Sequence, residues 1–312
     1  MEPAHDPQPA ATGATPPDPE EVEAVAPPVG GELPADTALG PVHLSVADLD
    51  RSLDYYRHAL GLAVRRREQA HAVLGVGERD LLVLTEKPGA PPADGYCGLY
   101  HYALLVPERA DLARWLAHVA RERVPLVGLS DHFVSEAIYL SDPDHHGIEV
   151  YWDRPRSHWE GQVAARMTTL PLDVDDLLGE LEDPARARFD GLPAGTVMGH
   201  VHLRVAAIDR TVGFYRDVLG FGLMAALGPQ AAFLSAGGYH HHLGSNTWES
   251  RGAPPAPEHA ARLEQYTIVL PHRGALDEVA GRVRAAGQEP QPVADGLVVH
   301  DPFQTRILLR AA

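Results

Sequence analysis

Apolar and polar residues alternate along "VHLSV" (42–46) and "VHLRV" (201–205), and after each segment the rhythm changes to that of a helix. In "ADLDRSLDYYRHALGL" the Leu and Tyr positions fall on one face behind an aspartate and end at Leu-Gly. "AAIDRTVGFYRDVLGF" repeats this with Val and Tyr. The two stretches, 40–62 and 199–221, align without a gap at an offset of 159, with 12 of 23 positions identical. A weaker copy of strand, turn and amphipathic helix recurs at 98–124 and 263–287. Short alternating segments such as "HAVLGVG", "DLLVLTE", "EAIYLSD" and "GIEVYWD" follow and predict strands. The chain therefore reads as an α+β fold of four β-α-β-β-β units, paired into domains at 38–155 and 196–312. A polar linker at 156–195 with one short helix is expected between them.

Composition narrows the partners. Residues 1–37 are rich in Pro, Ala and Glu and predict a disordered tail, which holds eight acidic residues and no Lys or Arg up to position 36. The formal charge of −17 disfavours nucleic acid and anionic membrane as partners. No apolar run is long enough for a transmembrane helix, and the amino terminus lacks a signal-peptide pattern. Cys97 is the single cysteine, which excludes disulfides within the chain and points to a cytoplasmic setting.

Candidate chemistry concentrates in "DHFVSEAIYLSDPDHHGIEVYW" (131–152), where Glu149 stands in mid-strand between Ile148 and Val150. A carboxylate facing the interior needs a positive or hydrogen-bonding partner. His43 and His101, on the opening strands of units one and two, would complete a 2-His-1-carboxylate site with Glu149. In the second half, His202 corresponds to His43, but Gln265 replaces His101 and "RILLR" offers no carboxylate. Strand periodicity turns His200 and His202 to one side, and likewise His240 and His242. His202 with His240 or His242 is thus an alternative, all-nitrogen metal site. His145 and His146 read as exposed turn residues.

The paired units and these residues resemble the vicinal oxygen chelate (glyoxalase/bleomycin resistance/dioxygenase) superfamily. The order His132, Ile138-Tyr139, Asp142-Pro143, Glu149 is similar to the signature of its type I extradiol dioxygenases. With "SAGGYHHHLGSNTW", the chain after the tail resembles catechol 2,3-dioxygenases of the CatE-like subgroup. The turn "DHHG" and Ser130 depart from the usual glycines. The resemblance implies two vicinal oxygen chelate domains, each a curled mixed sheet around a metal pocket. It implies Fe(II), or Mn(II) in some relatives, on His43, His101 and Glu149. His132 and Tyr139 would be the catalytic residues acting on a small aromatic diol and O2 in aromatic-compound catabolism, in a homo-oligomer. A glyoxalase-like isomerase or lyase would need a fourth ligand from Asp80 or Glu86, and a ligand-binding protein of the same superfamily would need no triad.

Overall fold

The computed structural model describes Pro28 and residues 30–312. Unit one comprises β1 (Ala38–Val46), α1 (Leu49–Leu60), β2 (Ala63–Glu68), β3 (His71–Val76) and β4 (Arg79–Glu86). Unit two comprises β5 (Gly98–Leu105), α2 (Arg109–Arg121), β6 (Gly128–Asp131), β7 (Ser135–Ser141) and β8 (Gly147–Asp153). The connection carries α3 (Val163–Arg166), β9 (Leu170–Pro171) and α4 (Val174–Leu178). Unit three comprises β10 (Val197–Arg204), α5 (Ile208–Val212) continuing as a π-helical segment at Gly213–Leu219, then β11 (Gly222–Leu227), β12 (Ala231–Ser235) and β13 (Leu243–Asn246). Unit four comprises β14 (Leu263–Leu270), α6 (Arg273–Ala285), β15 (Gln291–Val293), β16 (Gly296–His300) and β17 (Arg306–Ala311).

Helix α1 shows why the local pattern folds as it does. The Asp48 carboxylate accepts the Arg51 N–H at 3.0 Å at its start, and Gly61 closes it at φ 64°. Leu49, Leu53, Tyr56 and Leu60 form its buried stripe.

Two mixed sheets result, each from a pair of units, but the pairs cross the halves of the sequence. One sheet has the order β15-β16-β17-β14-β1-β4-β3-β2, and the other β11-β12-β13-β10-β5-β8-β7-β6-β9. Strand β1 satisfies its second edge with β14, and β5 with β10, both antiparallel. Units one and four thus share a sheet, as do units two and three, instead of the consecutive pairing expected at 38–155 and 196–312.

Contacts within each half come from helices and turns. The Tyr56 hydroxyl of α1 donates to Asp142 Oδ2 at 2.7 Å, and Asp142 Oδ1 accepts the N–H groups of Asp144 and His146. Tyr215 repeats this with Asp301, whose Oδ1 accepts from Phe303 and Thr305. Each helix therefore fixes the Asp-Pro turn of the following unit.

Two expectations need adjusting. Residues 30–37 of the presumed tail join the fold, with Leu33 buried and its N–H donating to the Gly220 carbonyl at 2.8 Å. The rest of that tail, 1–27 and 29, lies outside the described residues. The linker is ordered as well, with two short α-helices, Trp159 buried against Val134 and Val163, and β9 paired to β6.

Because neither half closes a sheet alone, a fragment ending at residue 155 is expected to expose the β1 and β5 edges and fail to fold. Co-expression with 156–312 should restore the dispersed amide NMR spectrum of the intact chain. A dispersed spectrum from the isolated fragment would contradict the pairing.

Candidate metal centre

Strand register assembles the site. Across β10, β5, β8 and β7, the Cα partners His200, Ala103, Glu149 and Tyr139 form one row, and His202, His101 and Gly147 form the next. Side chains of one row point to one face. Ala103, between His200 and Glu149, has only a methyl group and leaves room above it. Register shifts on both sides of His200–His202 bend β10 locally. Two glycines leave space that a side chain would fill: a Cβ at Gly199 would overlap the Tyr151 hydroxyl, and one at Gly147 the Tyr100 backbone carbonyl.

The nitrogens and the carboxylate meet in a small triangle. Glu149 Oε2 lies 3.0 Å from His101 Nε2 and 3.1 Å from His200 Nε2, and the two nitrogens are 3.3 Å apart. All three residues are buried, and they are the one such cluster of potential metal ligands among the described residues. Burial pushes the Glu149 carboxyl up, but the His200 and His101 imidazoles outweigh this and hold it well below its usual range. Burial lowers His200, so its imidazole is held neutral. One anionic oxygen and neutral imidazole nitrogens form the donor set a divalent cation requires. Two bonds of about 2.1 Å at right angles separate their donor atoms by about 3.0 Å, close to the observed edges. The residues present fit a metal on these grounds.

The sequence model of the Glyoxalase/Bleomycin resistance protein/Dioxygenase superfamily matches residues 38–150 and 197–306. The chain belongs to this superfamily. A catechol-2,3-dioxygenase of Bacillus subtilis (strain 168) is 43% identical over 273 residues, covering 86% of this chain and 94% of that protein. Among solved structures, a protein from Bacillus subtilis subsp. subtilis str. 168 matches with a TM-score of 0.61 at 14% identity, over 90% of this chain and 86% of that one. Glyoxalase I from Zea mays matches with a TM-score of 0.52 at 16% identity, over 88% and 92%. At these identities the structural likeness concerns the superfamily fold.

Within that fold, the expected ligand His43 is not brought to the triangle. It stands in the other sheet between Val83 and Gln265, with Nε2 2.6 Å from the Thr85 hydroxyl. His200 takes the third position because β10, not β1, borders β5. The alternative set His202, His240 and His242 is not assembled either. The Asn246 amide donates to His202 Nε2 at 3.0 Å, His240 Nε2 donates to Asp153 at 2.7 Å, and His242 Nδ1 accepts the Ala236 N–H. Burial holds His202 well below the usual imidazole range and lowers His242 to about 3.

His132 and Tyr139 do lie beside the triangle. The Tyr139 ring is 5.5 Å from that of His101, and its hydroxyl is 2.7 Å from His132 Nε2. His132 Nδ1 donates to the Thr168 carbonyl at 2.7 Å, and in the neutral imidazole Nε2 is then the acceptor for the Tyr139 hydroxyl. Burial, reinforced by the Glu149 charge, raises Tyr139 well above the usual phenol range and keeps it protonated. His145 is exposed and reaches Asp94, with a left-handed φ of 67° at a turn that favours glycine. His146, expected at the surface, is buried and donates from Nε2 to the Ser45 carbonyl at 2.9 Å.

The sequence sets His200 on the side of His202 but selects neither His200 nor His241 as a site residue. His200 breaks the repeat, standing where the first copy has Pro41, and a search for shared positions selects His43 and His202 instead. His241 is buried with its ring 4.1 Å from that of His200. The alternation that pairs His240 with His242 sets it apart. However, residues 237–242 lie between β12 and β13, so that alternation does not apply.

Elemental analysis of anaerobically purified variants checks the ligand set. His101→Ala, Glu149→Ala and His200→Ala should each reduce bound divalent metal from about one per chain to near zero, while His43→Ala retains it. Loss from His43→Ala with retention in His200→Ala would return the site to the other sheet.

Proposed function

We propose that the chain is an extradiol ring-cleaving dioxygenase that opens catechol or a substituted catechol with O2. Its metal in this reading is a non-haem Fe(II), or Mn(II), held by His101, His200 and Glu149. The observation that carries the proposal is a 2-His-1-carboxylate triangle with Tyr139 and His132 beside it, in a chain 43% identical to a catechol-2,3-dioxygenase. A facial set of three protein donors leaves the opposite side open for two reactants. When bound, the metal supplies a Lewis-acid centre that lowers the pKa of a catechol hydroxyl and gathers the diol and O2 together.

The protein's own groups position the substrate and handle protons. Tyr139, kept as a phenol, offers its hydroxyl to a catechol oxygen or passes its proton to His132 Nε2. His132 is oriented for this by the Thr168 carbonyl on its far nitrogen. Burial pushes the His241 imidazole well below its usual range, so it stands against His200 as a neutral acceptor. Tyr100 packs against His101 and the half-exposed Trp248, giving the site an aromatic lip.

A glyoxalase-like isomerase with four ligands is disfavoured by one residue. Register pairs Ala103 with Glu149, and the corresponding Arg204, two places after His202, with Asn246. The position related to Glu149 is therefore a neutral amide already bonded to His202. Asp80 and Glu86 are engaged elsewhere, by Arg65 and Arg66 and by the Leu49 N–H.

Fe(II)-loaded protein mixed with catechol in air should consume O2 and release a yellow ring-opened product. Tyr139→Phe should keep the metal and lower kcat by about 100-fold. Absence of O2 uptake with catechol, methylcatechols and dihydroxybiphenyl would refute the reading, and tightly held nickel or zinc with isomerase activity would favour the alternative.

A further inference from the structure

His132 reaches Tyr139 from a short turn held in an unfavourable shape. Register pairs Asp131 of β6 directly with Glu136 of β7, and residues 132–135 join them. The His132 N–H donates to the Ser135 carbonyl at 2.9 Å, and Phe133 stands in the left-handed region at φ 67°. A bulky side chain seldom adopts that conformation, so the surroundings must impose it. From this turn the His132 ring places Nε2 2.7 Å from the Tyr139 hydroxyl and Nδ1 2.7 Å from the Thr168 carbonyl.

Two carboxylates directly opposite on adjacent strands repel, and here they would open the hairpin at its turn. Arg154, the residue after β8, bridges them. Its Nη1 donates to Asp131 Oδ1 at 2.7 Å and its Nη2 to Asp131 Oδ2 at 3.0 Å, while Nη2 also donates to Glu136 Oε1 at 2.8 Å. Only a planar, forked cation can grip both acids in this way. Asp131 Oδ1 in turn accepts the Phe133 N–H at 2.8 Å, and the Arg154 N–H donates to the Val134 carbonyl at 3.0 Å. The buried Glu136 has a second partner, because Arg109 donates to both of its oxygens at 2.8 and 3.1 Å. Among the described residues, Asp131 forms an ion pair with Arg154 alone.

We propose that Arg154 is a positioning residue: by gripping Asp131 and Glu136 together it keeps the 131–136 hairpin closed and presents the His132 imidazole to Tyr139 beside the metal centre. What His132 does in catalysis rests on the dioxygenase reading. Arg154 makes no hydrogen bond or ion pair with Tyr139 or with His101, Glu149 and His200. Its effect on turnover therefore passes through His132.

Crystal structures of the full-length wild-type and Arg154→Ala chains test the geometry, and a double-mutant cycle with His132→Ala tests the path to catalysis. In Arg154→Ala the Phe133 φ should turn negative and His132 Nε2 should leave hydrogen-bond reach of the Tyr139 hydroxyl, with Glu136 still held by Arg109. An unchanged His132–Tyr139 contact would overturn the proposal. In the Fe(II) protein Arg154→Ala should lower kcat for catechol about 10- to 100-fold, with KM and bound metal unchanged. Arg154→Lys, which keeps the charge but loses the fork, should fall between Arg154→Ala and wild type. In a His132→Ala background neither variant should lower kcat further. An equal loss in both backgrounds would overturn the proposal, because a merely structural role does not depend on His132. Should Arg154→Ala not fold, Arg154→Lys is read by the same criteria. A wild-type chain without O2 uptake, whose variant crystal shows the displaced imidazole, would support the grip and refute the dioxygenase reading alone.

Discussion

The antiparallel pairing of β5 with β10 is the constraint on which the site depends. It places His200 of the third unit in line with Ala103 and Glu149 of the second, closing the triangle at edges of 3.0 to 3.3 Å. Neither half of the chain contains the three donors on adjacent strands by itself. The Tyr56–Asp142 and Tyr215–Asp301 hydrogen bonds hold each helix to the turn of the next unit, so the crossed sheets and the consecutive units are locked together.

The electrostatics of the site follow from burial. A buried carboxylate is costly, and His101 and His200 against Glu149 offset part of that cost. A divalent cation meets the remainder, because a carboxylate oxygen beside two imidazole nitrogens is a donor set suited to it. The second repeat-related sheet lacks this demand. There Gln265 accepts from Arg306, His43 is satisfied by Thr85, and β17 offers Leu308 beside Thr267, where β8 offers Glu149 beside Ala103. One of two similar sheets thus holds a metal-type site while the other is filled by hydrogen bonds and ion pairs.

Much of this was legible in the sequence. The four units, the helix boundaries near Leu-Gly and the group His101, His132, Tyr139 and Glu149 come from local pattern and one motif. These residues lie within a single unit, so local sequence suffices to associate them. The third nitrogen donor does not follow from such reasoning, because it depends on which opening strand borders β5. Periodicity and repeats are the same for β1 and β10, and the repeat argument favours the residues the two copies share. His200 is visible only as a departure from the repeat. The burial of His146 is not legible for a related reason, since its bond to Ser45 arises from contact between unit one and the turn of unit two.

Anomalous diffraction from crystals of the iron- or manganese-loaded chain, collected on either side of the metal absorption edge, tests the central claim most directly. The account predicts one strong peak within about 2.2 Å of His101 Nε2, His200 Nε2 and Glu149 Oε2. A peak beside His43, or among His202, His240 and His242, would contradict it.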